Sequence, residues 1–141
     1  MDERDLRKGN LIFSFGMFSV VNSCQDGWLQ CALKDGSGVG FSCSEAEPVI
    51  ITDKILDWLE FGENQHKGIR VFEKFVGECY VTVDKYGINK HGCNWRVHID
   101  NERFETIGHA DIQYVHELQN IIRLCTGCDL DVKIFKFGEN N

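Results

Sequence analysis

The chain has one proline, two methionines and no apolar run approaching the roughly 18 residues that a membrane-spanning helix requires. The missing run excludes an ordinary helical membrane anchor within this sequence. Positive charge is also in short supply, because 15 Lys and Arg against 22 Asp and Glu give 15 − 22 = −7 with neutral histidines. A chain of that sign repels phosphate backbones and anionic lipid, so non-specific binding to nucleic acid or membrane would need a basic patch that the composition does not supply. The opening Met1-Asp2-Glu3-Arg4-Asp5 is charged and lacks the apolar segment and small-residue cleavage site of a secretory leader. A cytoplasmic location is therefore expected. Specific catalytic signatures are absent as well: there is no Gly-x-Ser-x-Gly elbow, no phosphate-binding glycine loop that leads into a helix, and no His-Glu-x-x-His helix.

What is present suits one small soluble protein of 141 residues, with 43% hydrophobic and 26% charged side chains. Residues 10–14, 17–23, 28–33, 39–42 and 49–51 read as short strands. The dipeptides Asp26-Gly27 and Asp35-Gly36 mark tight reversals between them. This pattern predicts an SH3-like or small β-barrel module over residues 1–50. After Pro48 the period changes. Thr52-Asp53 can cap a helix carrying Ile55, Leu56 and Leu59, with Gly62 closing it. Strands follow between residues 69 and 106, with 80–84 and 94–99 alternating in polarity. A longer helix over about 111–125 and a last strand over 130–137 complete an α+β domain spanning 51–141. The expected architecture is thus α+β, with the β-rich module packed against an antiparallel sheet that is covered by two helices.

At about 100° per residue, Tyr114, Val115, Leu118, Ile121, Ile122 and Cys125 share one arc of the second helix, which suits packing on a sheet. The flanking arc carries His116, Gln119, Asn120 and Arg123, the most organised polar group in the sequence. These four are the candidate ligand-binding residues, with Arg123 offering a bidentate fork to an anion. The alternative reading has the amide side chains bonding neighbouring backbone as scaffolding. Cys125-Thr126-Gly127-Cys128 has the two-residue gap of a zinc-binding or redox pair, with His91 and Cys93 as the nearest further ligands by type. Zinc is the one cofactor this suggests. The competing account makes Cys125 a core residue and Gly127 a helix cap. Seven cysteines, an odd number without a leader, read as reduced thiols. His91, His98 and His109 have carboxylates nearby in sequence, and Trp28, Trp58 and Trp95 could stack on bases or fill a core.

Three segments carry a resemblance. They are Leu6-Arg7-Lys8-Gly9-Asn10-Leu11, then Pro48-Val49-Ile50-Ile51-Thr52 with Trp58-Leu59 and Phe61-Gly62, then Tyr114-Val115-His116-Glu117-Leu118-Gln119-Asn120 with Thr126-Gly127. In order and spacing they resemble a family of uncharacterised small proteins widespread in Bacteroidetes bacteria and their phages and prophages. The resemblance implies a cytoplasmic accessory protein of a phage or mobile element in a bacterial host cell, with no assigned reaction. Cys125 and Cys128 depart from that family's pattern. The combined expectation is a non-catalytic protein that binds a host protein or a small anionic ligand, acting as an antagonist of host antiviral defence. Two alternatives stand beside it: a small nucleic-acid-binding module, and a small hydrolase or nucleotide-modifying enzyme.

Overall fold

A computed structural model of the chain describes residues 1–89 and 92–138. The architecture is α+β, weighted towards β: two antiparallel five-stranded sheets and two α-helices. The chain divides into two compact units, one made of Met1–Ile50 with the described C-terminal residues 132–138, the other of Ile51–Asp131. Among the described residues no helix is long and apolar enough to cross a membrane.

In the first unit, β1 (Leu11–Ser14), β2 (Met17–Gln25), β3 (Trp28–Leu33) and β4 (Gly38–Ser42) form a meander, and β5 (Glu47–Pro48) returns to pair with β1. The strand order β4-β3-β2-β1-β5 leaves β4 and β5 as edges, so the sheet is open and the closed barrel expected as one option is not formed. Pro48, having no amide hydrogen, is tolerated because β5 is an edge. The final strand therefore ends at Pro48, where the sequence suggested 49–51. Leu6, Ile12, Val21, Leu29, Cys31, Phe41, Cys43 and Ala46 make the core of this unit. The segment 130–137 does not form the expected strand. Its only regular structure is a single 3-10 turn, Ile134–Lys136, after which Phe137 sets its ring edge-on to Phe18 at 5.5 Å.

The second unit opens on α1 (Asp53–Trp58), capped as expected by Thr52, whose Oγ1 accepts from the Ile55 amide at 3.1 Å. There follows a simple meander, β6 (Gly62–His66), β7 (Ile69–Val76), β8 (Cys79–Asn89), β9 (Gly92–Asp100) and β10 (Thr106–Ile112), and then α2 (Val115–Thr126). Alternation is clearest in β9, where Trp95, Val97 and Ile99 are buried while Arg96 and His98 are exposed. Trp95 anchors this core: its Nε1 donates to the buried Ile51 carbonyl at 3.1 Å and its ring packs 6.0 Å from that of Phe72. α2 lies against β9 and β10, and its apolar residues Val115, Leu118 and Ile122 are buried.

The β6–β7 edge is held by polar pairs. Asn64 Nδ2 donates to Glu73 at 3.0 Å, the His66 ring nitrogen lies 3.2 Å from the same carboxylate, and the Tyr80 hydroxyl also donates to it. The Asn64 hydrogen bond, aided by His66 and opposed by partial burial, holds the Glu73 carboxyl below the usual carboxylate range. A depressed folded-state pKa adds stability above the unfolded value of about 4.3 and loses it as pH falls through the folded value. The melting-temperature gap between wild type and Glu73→Gln is therefore present at neutral pH and shrinks towards zero below about pH 4. Thermal melts at stepped pH read this directly, and a gap that is independent of pH contradicts the assignment.

Candidate functional site

α2 starts where the Glu117 carboxylate reaches back to accept from the amides of Tyr114 at 2.9 Å and Gln113 at 3.0 Å. It ends at Gly127, whose φ of +73° is the left-handed turn that closes a helix and suits glycine. Between these ends the four polar candidates do not share one exposed face. His116 and Gln119 are both buried, His116 stacking on Tyr114 with 5.8 Å between ring centres. Asn120 is half-buried. Arg123 is exposed, but its Nη1 donates to the Gly127 carbonyl at 2.6 Å and its Nε lies 3.7 Å from Asp129. That guanidinium closes the C-terminal end of its own helix, where a cation also complements the helix dipole.

The thiols at the same end meet the sheet at two places. The Cys125 sulfur presses on Gly108 of β10, closely enough that a side chain at 108 would collide with it. The exposed Cys128 packs against Gly77 in the β7–β8 turn. Cys93 is far from both. Gly108 pairs with Ile99, and Cys93 lies six residues back along β9, roughly 20 Å at strand spacing. His91 falls outside the described residues. The third thiol near the end of α2 is instead Cys79, at the start of β8. Burial pushes the Cys79 thiol up, and the neighbouring Cys128 and Cys125 add to that. Among the described residues no group of three or more His, Cys, Asp or Glu is placed to hold a metal ion.

His98 and His109 are cross-strand partners on β9 and β10, with rings stacked at 6.0 Å on an exposed face. Arg96 sits 3.7 Å from Asp84 and over the Tyr86 ring at 4.5 Å. Partial burial and a hydrogen bond to Asp111 raise the Tyr86 phenol. His98, His109 and Arg96 are exposed, so water competes for their hydrogen bonds. The tryptophans are dispersed in environment: Trp95 is core, Trp58 is half-buried beneath Lys54, and Trp28 is half-exposed on β3.

A cavity of about 650 Å³ lies in the first unit. Three segments far apart in sequence form it: the β1–β2 turn with Met17 and Phe18, the end of β3 with Leu33, and the 3-10 turn with Ile134, Phe135 and Phe137. Lys34 and Asp35 supply its charged lining. Phe18 is the pivot, since its ring meets Phe13 at 5.1 Å and Phe137 at 5.5 Å, both edge-on. Met17 and Phe135 are large apolar side chains left exposed at its mouth, 44% and 55% respectively. An apolar pocket with one residue of each charge at its edge suits an apolar group carried on a polar scaffold. Among the described residues its lining holds no nucleophile, histidine or carboxylate pair for chemistry. The sequence reading missed it, although Ile134-Phe135-x-Phe137 was the usable signal: three large apolar residues that a one-sided strand would not present together. Neither the protein-family models, nor the curated proteins, nor the solved structures returned a match to this chain.

Proposed function

We propose that the protein is a non-catalytic binding module that receives an apolar anchor side chain of a partner protein in the pocket beside Phe18 and Phe137. The observation that carries this reading is the pocket itself: apolar walls, exposed Met17 and Phe135 at the mouth, and, among the described residues, no histidine, nucleophile or carboxylate pair in its lining. The partner is a protein with basic residues flanking the anchor. The net charge of −7 favours that sign, while Lys34 and Asp35 balance each other at the rim. A small anionic ligand on α2 is less well supported, because Arg123 is engaged at its own helix end and His116 and Gln119 are buried. We read the first unit as an SH3-like module, for which its strand order, with one 3-10 turn (Cys43–Glu45) ahead of a short last strand beside the first, is the supporting feature. We read α1 and α2 as covering the second sheet on its Trp95 face. The resemblance to proteins of Bacteroidetes and their phages supports a mobile-element accessory role for this binding, and a host protein of antiviral defence is the partner we propose. The reading requires no metal or cofactor.

The test uses the acetylated, amidated tetrapeptide Lys-Phe-Leu-Lys as probe. Wild type binds it, and Met17→Asp and Phe135→Asp each weaken binding at least tenfold, because a carboxylate at the mouth must be desolvated when the anchor enters. Both positions are exposed, so both variants keep the wild-type melting temperature within a few degrees. Equal affinity in all three proteins removes the pocket from the account.

A further inference from the structure

Three of the seven cysteines gather in the first unit, and the second-helix pair is not among them. Cys24 lies on β2, Cys31 on β3, and Cys43 opens the 3-10 turn after β4. The sulfurs of Cys24 and Cys43 are 3.9 Å apart, in van der Waals contact. The backbone holds them there. Cys24 faces Leu29 in the β2–β3 ladder, Ser42 pairs with Trp28, and the Cys43 amide donates to the Gly27 carbonyl at 2.8 Å. A disulfide needs the sulfurs to close by roughly 2 Å, a shift that side-chain torsion can supply when the two backbones are already neighbours. The Cys125–Cys128 pair has no such frame, since one sulfur presses on Gly108 of β10 and the other on Gly77 in the β7–β8 turn.

We propose that Cys24 and Cys43 form a paired thiol-oxidation site, which a low-molecular-weight disulfide such as oxidised glutathione converts into an internal disulfide. In the first step the half-buried Cys24 loses its proton to solvent, and its sulfur attacks the small disulfide, expelling one small thiolate. In the second, the Cys43 sulfur, deprotonated in turn, attacks Cys24 and expels the other. Two protein thiols are oxidised, one small disulfide is reduced to two thiols, and the expelled thiolates take up the two protons. The surroundings make the site slow to react and durable once closed. Burial first, then Glu3 and Cys43, push the Cys24 thiol up to about 12, and Glu3 is itself fixed by accepting from the Gly27 amide at 2.9 Å. Cys43 is buried with Leu6, Val21, Leu29 and Ala46, which shield the closed bond from reductant.

The experiment incubates the folded full chain with oxidised glutathione, blocks the remaining thiols with a maleimide, and maps the linked peptides by mass spectrometry. The expected product carries 7 − 2 = 5 maleimide groups and a Cys24–Cys43 cross-link. It melts at least ~5 °C higher than the reduced chain, because the closed loop restricts the unfolded state. Cys24→Ser and Cys43→Ser each lack the cross-linked peptide. The proposal is overturned if the folded chain retains all seven thiols, if a different pair links first, or if the Cys24–Cys43 link forms only in denaturant.

Discussion

Replacing Trp95 with Ala lowers the stability of the second unit by about 3–5 kcal/mol, which for a unit of this size is a melting-temperature loss of roughly 15–30 °C. The effect has two sources. The indole is 1% exposed and fills the space between β9 and Phe72, so its removal leaves a cavity that the surrounding strands close only in part. Its Nε1 also satisfies the buried Ile51 carbonyl, and losing that donor leaves a polar group orphaned in the core. Trp95→Phe separates the two, because it keeps most of the packing and removes the donor. It is expected to cost about 1–3 kcal/mol. Thermal or urea melts of both variants give the comparison, and a Trp95→Phe protein as damaged as Trp95→Ala would assign the whole effect to the hydrogen bond.

The second large effect joins α2 to β10. Gly108→Ala is expected to cost about 1–3 kcal/mol, although alanine is the better residue for a strand in general, because its Cβ would lie well inside contact distance of the Cys125 sulfur. Either the Cys125 side chain leaves its rotamer or the helix moves off the strand. Cys125→Ala removes the colliding atom, so the double variant recovers most of what Gly108→Ala loses. The interaction energy of the cycle is then comparable to the single cost. Independent, additive losses would mean that Cys125 does not rest on Gly108. The same cycle measures how much Cys125 contributes as a packing residue, the role that competes with a metal-ligand role for this cysteine.

Local chemistry made part of this molecule readable from residues alone. The Asp26-Gly27 reversal, the Thr52 cap, the alternation of β9 and the inward arc of α2 each follow from spacing and turn chemistry that need no knowledge of distant neighbours. Elements whose character depends on partners were not readable. β6 is exposed along its whole length and shows no alternation, because it is an edge strand of polar residues paired only to β7. The segment ending at Phe137 has a strand-like run of apolar residues, but among the described residues it forms no strand, and the Phe137 ring turns to Phe18. Helical periodicity separates Val115 and Leu118 from Arg123, yet it does not reveal that His116 and Gln119 are buried, which depends on what packs beside the helix. The pocket and the Cys24–Cys43 contact share this property. Each joins segments separated by tens of residues, and composition marks neither.

The most direct measurement of the account is residue-resolved NMR of the isotopically labelled chain during titration with N-acetylphenylalaninamide, a neutral apolar anchor without flanking charge. Binding in the pocket predicts saturable shifts at Met17, Phe18, Leu33, Phe135 and Phe137, with α2 unmoved. Saturable shifts at His116, Gln119, Asn120 and Arg123, with the Phe18 region unmoved, would contradict it and return the binding site to the second helix.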